Sequence, residues 1–388
     1  MKFVNTDNRI PIKSWCETVE PGAMKQAVNL TKLPFVYGHV ALMADCHEGF
    51  GMPIGGVIAC KDFIIPNAVG VDIGCGMCAV RTDLPAASID AETVRTALNR
   101  VRAVIPMGFD HHRSDQHWSG FDKAPDIPVI QRELSSARRQ LGTLGGGNHF
   151  IEIQRGDDGF VWLMIHSGSR NFGFKIAGQY HAKALSYCQK HTVDLPDKDL
   201  ACMPLDNSDA IDYLEAMEFA LSFAAANRQH MKQVCEDILR EETLCNFTDE
   251  INIHHNFAAI ERQYGRDLVV HRKGATSAEK GRRGIIPGSM GTSSYIVSGL
   301  GSAQSFLSSS HGAGRTMGRN EANRRLSYEE VRAAMKGIVF DTWPKGRKGR
   351  LDLSEAPQAY KNIESVMAAQ SDLVTVLVKL SPVGVVKG

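Results

Sequence analysis

The sequence predicts a single α+β domain of mixed β-sheets, with a helical insertion at approximately 176–245. Three observations predict it. Strand-length runs rich in Val and Ile, broken by Gly- and His-bearing turns, fill residues 34–81 and return after Asn252. Helical periodicity is concentrated between these two regions. A length of 388 residues allows two or three domains, yet no repeat, low-complexity segment or linker divides the chain.

In chain order, FVYGHVALMADCHEGFG, IGGVIAC and FIIPNAVGVDIGCGMCAV read as short strands joined by turns. Residues 88–103 read as a helix capped by Ser88 or Asp90. Residues 109–128 hold His111, His112, Arg113, His117 and two prolines, and read as a loop. Residues 129–141 look helical, after which LGTLGGGNHFIEIQ breaks into a loop and a strand. FVWLMIHSGSRNFG is again an apolar strand ending in a polar turn. Residues 176–190 and 209–241 are helical, the second Ala-rich with apolar positions every three or four residues. INIHHNF, DLVVHRKGATSA, RRGIIPGSMGTSSYIVSGL and SFLSSSHGAGR return to strands and Gly loops. A last helix near 319–336 precedes the tail LVKLSPVGVVKG.

Composition narrows the function classes. A net charge of +1 gives no global basic signature, so a nucleic-acid partner would need a local patch. Nine irregularly spaced cysteines argue against a secreted disulfide framework. MKFVNTDNRIPIKSW lacks the apolar run of a signal peptide, and no apolar stretch is long enough to span a bilayer. A reducing cytoplasm, no membrane and a monomer are the expectations.

Five motifs carry candidate chemistry: Asp72-Ile73-Gly74-Cys75-Gly76, Gly147-Asn148-His149-Phe150, Ile165-His166-Ser167-Gly168-Ser169-Arg170, His254-His255-Asn256 and Ser310-His311-Gly312-Ala313-Gly314-Arg315. Each is expected at the end of a strand, so one sheet edge can gather them into one cleft. A lone His is more often a satisfied polar residue than a ligand, but five such motifs in one local context point to a shared site. Carboxylate, thiolate and imidazoles form a mixed set for a first-row divalent ion, and a thiolate can bridge two ions. The Cys75–Cys78 CxxC fits half a zinc site or a redox motif, but no second pair and no thioredoxin pattern accompany it. Gly145–Asn148, Pro287–Gly291 and His311–Gly314 are small-residue loops whose amides can approach phosphate, or plain turns; no Walker A pattern is present. Arg170, Arg272, Lys273, Lys280, Arg282, Arg283 and Arg315 cluster near these segments, as a polyanion site or as solvated surface.

Together MADCHEGFG, AVGVDIGCGM, LGTLGGGNHFIEI, IHSGSRNFG, EINIHHNF, RKGATSA, RGIIPGSMG, SSSHGAGR, AYKNIESVMAAQSDLV and the terminal VVKG resemble the RtcB family of RNA ligases, in the family's order from about residue 34 to 388. The resemblance implies the family's own fold and a ligase joining RNA 3′-phosphate, or 2′,3′-cyclic phosphate, to 5′-hydroxyl ends. His311 would take GMP from GTP as the catalytic nucleophile. Asp72, Cys75, His149, His166 and His255 would hold two Mn²⁺ ions, with Cys75 bridging. Guanylate contacts would fall to Asn148, His149, Phe150, Ile151, Glu152, His255, Asn256, Pro287, Gly288, Ser289, Met290, Ser294, His311, Gly312, Ala313, Gly314, Tyr360 and Lys387. Asp45 and His47 match a family element, and Asp45 is expected either as an acid/base near the 5′-hydroxyl or the metals or as a structural turn residue. Two departures stand in that element: Phe50 where the family carries lysine, and Ala44 where it carries proline. They bear on substrate choice. A metal-dependent RNA-end phosphodiesterase without ligation is the competing activity, and a non-catalytic RNA-binding relative would tolerate losses in the ligand set that this chain does not show.

Overall fold

The structure, a computed structural model, describes residues 1–340 and 351–388. Two sheets dominate it. The first has six strands in the order Phe3–Asn5, Ile12–Ser14, Val36–Phe50, Met52–Cys60, Arg266–Lys273 and Asn256–Gln263. The second has eight, running Phe247–His254, Gly76–Pro85, Phe160–Ser167, Phe150–Gly156, Val374–Lys387, Ser294–Gly299 and Arg283–Ile286, with Val339–Phe340 parallel to the long Val374–Lys387 strand. Both sheets are mixed, as the sequence predicts: Ile12–Ser14 runs parallel to Val36–Phe50 among antiparallel neighbours.

Val36–Phe50 is longer than its sequence suggests. Ala44–Gly49, expected as a turn, lies inside the strand. Val40–Cys46 is buried without alternation, the pattern of a strand covered on both faces. Its pairing with Met52–Cys60 slips between Leu42 and His47, and such an irregularity re-aims a side chain. Here the strand carries Asp45 into the interior.

The helices follow apolar spacing and caps. Ala91–Val104 is capped by Asp90, whose carboxylate accepts from the Thr93 amide, while Ser88 closes a short 3-10 turn instead. Pro128–Gln140 starts on its proline. The next helix, Asn171–Lys190, begins earlier than its periodicity, directly after the His166 motif. Ser208–Thr243 packs against it and against the eight-stranded sheet. The expected helix at 319–336 is two, Arg319–Arg325 and Tyr328–Ala334, because Ser327 opens the second with a Glu330 capping box.

The largest core joins Phe172, Met217 and Phe223 of the helices to Ile58, Ile64 and Phe121. A second sets Val94, Leu98 and Val101 of one helix against Ile151, Ile153, Leu163 and Ile165 of the sheet. Each such fully buried side chain contributes about 1.5–3 kcal/mol. Among the described residues no helix is long and apolar enough to cross a membrane.

Sheet register places the site. Gly76 opposes Ser167, His166 opposes both Met77 and Phe150, and His254 opposes Gly76. In these antiparallel pairs a strand start lies beside a strand end. The Asp72–Cys75 and Asn148–His149 segments therefore precede their strands, contrary to the expectation that every motif follows one, and still reach the same edge as His166. The chain crosses from the eight-stranded sheet to the six-stranded one at His255, which brings the second sheet to that edge.

Candidate active site and metal cluster

A cleft of about 1290 Å³ opens at this edge. Asp72, Cys75, Asn148, Phe150, His166, His255, Asn256, the Pro287–Met290 loop, the His311–Gly314 loop, Tyr360 and Lys387 all line it. Chain segments remote in sequence thus meet as the motifs imply. His149, Ile151, Glu152 and Ser294 do not line it. Ile151 packs in the core under the Ala91–Val104 helix. Glu152 and Ser294 are buried behind the wall, joined through Gln154, whose amide donates to Glu152 Oε2 at 2.7 Å and to Ser294 Oγ at 3.3 Å.

Cys75 Sγ lies 3.3 Å from His166 Nε2 and 3.6 Å from His149 Nε2. The three donor atoms fall within 4.8 Å of one another. Each imidazole is oriented from behind: His149 Nδ1 donates to the Leu144 carbonyl at 2.9 Å and His166 Nδ1 to the Asn148 carbonyl at 3.1 Å. That fixes the tautomer whose Nε2 lone pair faces the thiol. Burial drives the His149 pKa down to about 3, with Arg170 adding to the effect, and pushes His166 and His255 well below their ordinary value. Neutral imidazoles are the ligand form. Burial, with Asp72 nearby, raises the Cys75 thiol to about 12, which a bound cation would reverse.

His255 stands beside His166, ring centroids 5.2 Å apart, and its buried Nδ1 has no hydrogen-bond partner. His255, like the Asp72 carboxylate, lies outside the tight donor group, but an unpaired buried imidazole nitrogen next to it fits a place beside a divalent ion. Asp72 is on the same cleft wall, held by its carbonyl to Cys75 N at 3.0 Å and Asn256 Nδ2 at 3.2 Å, but its carboxylate is outside the tight group. Arg228, fully buried on the long helix, braces the cluster from below. It donates to the Gly74 and Ser167 carbonyls at 3.0 Å each and to Asn252 at 2.8 Å.

His311 sits next to this group, its ring centroid 4.8 Å from that of His255. Asp45 lies beneath it. One carboxylate oxygen accepts from His311 Nδ1 at 2.6 Å, from the His311 amide at 3.1 Å and from the Gly312 amide at 3.3 Å. Burial alone would raise the Asp45 pKa; the His311 ring and its hydrogen bond, with His47 and Lys361 nearby, hold it below the ordinary carboxylate range. Asp45 thus lies inside a strand rather than in a turn, buried under His311, and its contact with Nδ1 leaves His311 Nε2 free. Gly314 makes this contact possible: at φ +72° a Cβ would lie 2.2 Å from the Asp45 carbonyl.

The phosphate-cradle expectation is only partly met. The Gly288 and Ser289 amides are taken by the Ser294 and Thr292 hydroxyls, and those of His311 and Gly312 by Asp45. The cations divide. Arg315 lines the cleft, pinned by Glu355, Ser354 and Tyr360. Arg170 is held by Thr143 at 2.9 Å and Gly108 at 3.0 Å. Arg272 is fully buried against Glu261, Ser308 and Phe306, a structural role. Arg282 and Arg283 pair with Glu279 and Asp249 away from the cleft, so that run is surface. Lys273 does line the cleft, and burial lowers its pKa to about 8.

Arg228 and Glu355 had no sequence signal. Glu355, buried in the cleft wall, ties together Arg319 at 2.8 Å, Arg315 at 3.2 Å, Lys387 at 4.0 Å and the Tyr360 hydroxyl. It holds three cations and a phenol together in the cleft lining, and nothing in SEAPQAY marks it.

Residues 26–388 match the family described as tRNA-splicing ligase RtcB. The chain belongs to the RtcB family. The RNA-splicing ligase RtcB of Escherichia coli (strain K12) is 39% identical over 415 residues, covering 100% of this chain and 99% of that protein. The tRNA-splicing ligase RtcB of Nanoarchaeum equitans is 32% identical, with 95% and 92% covered. The RNA-splicing ligase RtcB of Mycobacterium tuberculosis is 30% identical, with 94% and 100% covered. The motifs gathered in the cleft are thus set in a chain that is RtcB-like from end to end of the matched region.

Proposed function

We propose that this chain is a GTP- and Mn²⁺-dependent RNA ligase that joins 3′-phosphate ends, or 2′,3′-cyclic phosphate ends once opened, to 5′-hydroxyl ends through a guanylate carried on His311. The observation that carries the reading is the Asp45–His311 pair beside the Cys75 cluster. With Nδ1 donating to Asp45 at 2.6 Å, the lone pair is on Nε2.

Nε2 attacks the α-phosphorus of GTP, a phosphoramidate bond forms and pyrophosphate leaves. The ring gains positive charge as that bond forms, and the Asp45 carboxylate offsets it. The guanylate then passes to a 3′-phosphate oxygen of the RNA, freeing His311. The 5′-hydroxyl attacks the activated phosphorus, GMP leaves, and a phosphodiester closes the strand. Asp72, Cys75, His149, His166 and His255 would hold two Mn²⁺ ions, which would supply positive charge against the phosphoryl oxygens. Asn148, Phe150, Asn256, Pro287, Gly288, Ser289, Met290, Ala313, Gly314, Tyr360 and Lys387 would shape the guanylate site, with Glu152 and Ser294 supporting it from behind. Lys387 stands over the Phe150 ring at 5.8 Å and near Glu355, a fixed cation at that end of the cleft.

Incubation with labelled GTP and Mn²⁺ tests this. The protein should acquire an acid-labile guanylate that a 3′-phosphate RNA discharges, and His311→Ala should acquire none. Opening of cyclic ends with no joining, with or without GTP, would point to the phosphodiesterase instead.

A further inference from the structure

One stretch of the cleft lining contains none of the residues assigned above to guanylate or metal. It comprises His47, Phe50, Asn67, Val71, Asp199 and Lys273. Phe50 stands out in it. It is 73% exposed, although it lines a cleft, and no aromatic or cationic partner lies on its ring among the described residues.

The backbone beneath that ring is fixed. Gln26 Nε2 donates to the Gly49 carbonyl at 2.6 Å, and the Gly49 amide donates back to Gln26 at 3.1 Å. Lys273 Nζ donates to the Phe50 carbonyl and, at 3.1 Å, to that of Asn67. Gly51 turns the hairpin at φ +68°, so close to Asp199 that a Cβ would lie 2.9 Å from its carbonyl. A rigid hairpin tip thus presents an open aromatic face to the cleft. A singly exposed apolar residue is ordinary on an outer surface, but one fixed in a cleft offers its face to whatever the cleft takes up.

We propose that Phe50 stacks on an unpaired nucleobase of the RNA end as that end enters the cleft toward His311. This rests on the ligase reading above. Unstacked bases at RNA ends are recognised on aromatic side chains, and a ring held by its backbone loses little entropy on binding. A lysine at this position, as in the motif that MADCHEGFG resembles, would grip phosphate by charge; a phenylalanine grips a base by its face.

Three variants and one modified RNA test it. Phe50→Ala should raise the KM for RNA about tenfold, the loss of one stacked base. Guanylate transfer from GTP to the protein should keep its rate, which separates this idea from the ligase reading: if wild type itself fails to label, that reading falls. Phe50→Trp should retain the KM. Phe50→Lys should bind RNA with a salt dependence steeper by about one phosphate contact. An RNA abasic at the stacked nucleotide should lose as much as Phe50→Ala does, with no further loss when both are combined. The proposal is overturned if Phe50→Ala leaves the KM unchanged, or if its loss adds in full to that of every abasic RNA tried along the end. The unfolding temperature of each variant, expected to match wild type at so exposed a position, excludes a folding defect.

Discussion

Replacing Asp45 with asparagine should slow guanylate transfer to His311 by about 10²–10⁴-fold, about 3–5 kcal/mol of barrier. The size follows from the contacts. One carboxylate oxygen accepts three N–H groups, His311 Nδ1 at 2.6 Å and two amides at 3.1 and 3.3 Å, while Asp45 Oδ1 is buried without a partner. In one orientation the Asn oxygen keeps those bonds but buries an unpaired NH₂, at a cost of about 1–3 kcal/mol, and the carboxylate charge that offsets the reacting ring is gone. In the other orientation the NH₂ faces Nδ1 and drives the proton to Nε2, which removes the nucleophilic lone pair. Both orientations lower the rate. Single-turnover labelling with GTP and Mn²⁺ at saturating GTP, read against time, measures it. Labelling by Asp45→Asn at a rate within a few-fold of wild type would refute the reasoning, because the pair would then be dispensable.

Other expectations follow from the same geometry. Chelation should abolish labelling, and Mn²⁺ returned at a hundred times its Kd should stabilise the protein by about 2.7 kcal/mol in thermal unfolding, a shift that Cys75→Ser should shrink; an equal shift in the variant would count against the cluster as the binding site. Arg228→Met should destabilise by about 3–5 kcal/mol in urea and weaken Mn²⁺ affinity, since it strips partners from the Gly74 and Ser167 carbonyls; unchanged stability would contradict its bracing role. Burial lifts the Glu152 pKa from its ordinary 4.5 to about 8, against the pull of Lys387 and Gln154. The folded chain therefore keeps a proton that the unfolded chain has released, and stability should fall as pH rises from 4.5 to about 8. Glu152→Gln should flatten that part of the profile by a few kcal/mol; an identical profile in both proteins would show that Glu152 titrates normally.

Much of the site was legible because its residues break apolar runs. His166, His255 and His311 are each a polar interruption beside Val, Ile or Ser strand text, and such interruptions stand out in one dimension. Bringing Cys75, His149 and His166 together needed only the rule that strand edges converge, which antiparallel register fulfils from starts as well as ends. What stayed hidden depends on long-range register. Asp45 meets His311 across 266 positions, and its ADCHEG context reads as a turn although a slip in pairing keeps it inside a strand. Arg228 is one basic residue in an Ala-rich helix and looks like a solvated position until the helix is laid on the sheet. Glu355 lies in no motif, and its worth comes only from the three cations folded around it. The Lys280–Arg283 run shows the reverse: it is conspicuous in sequence, yet Arg282 and Arg283 are spent on neighbouring carboxylates at the surface.

The central claim concerns one atom, Nε2 of His311. Peptide mapping by mass spectrometry of wild-type protein after exposure to GTP and Mn²⁺ addresses it most directly. A guanylate mass on the peptide containing His311, lost on mild acid treatment, is the result this account requires. Modification of a lysine or another histidine instead, or an unmodified His311 peptide under every divalent ion tried, would contradict it.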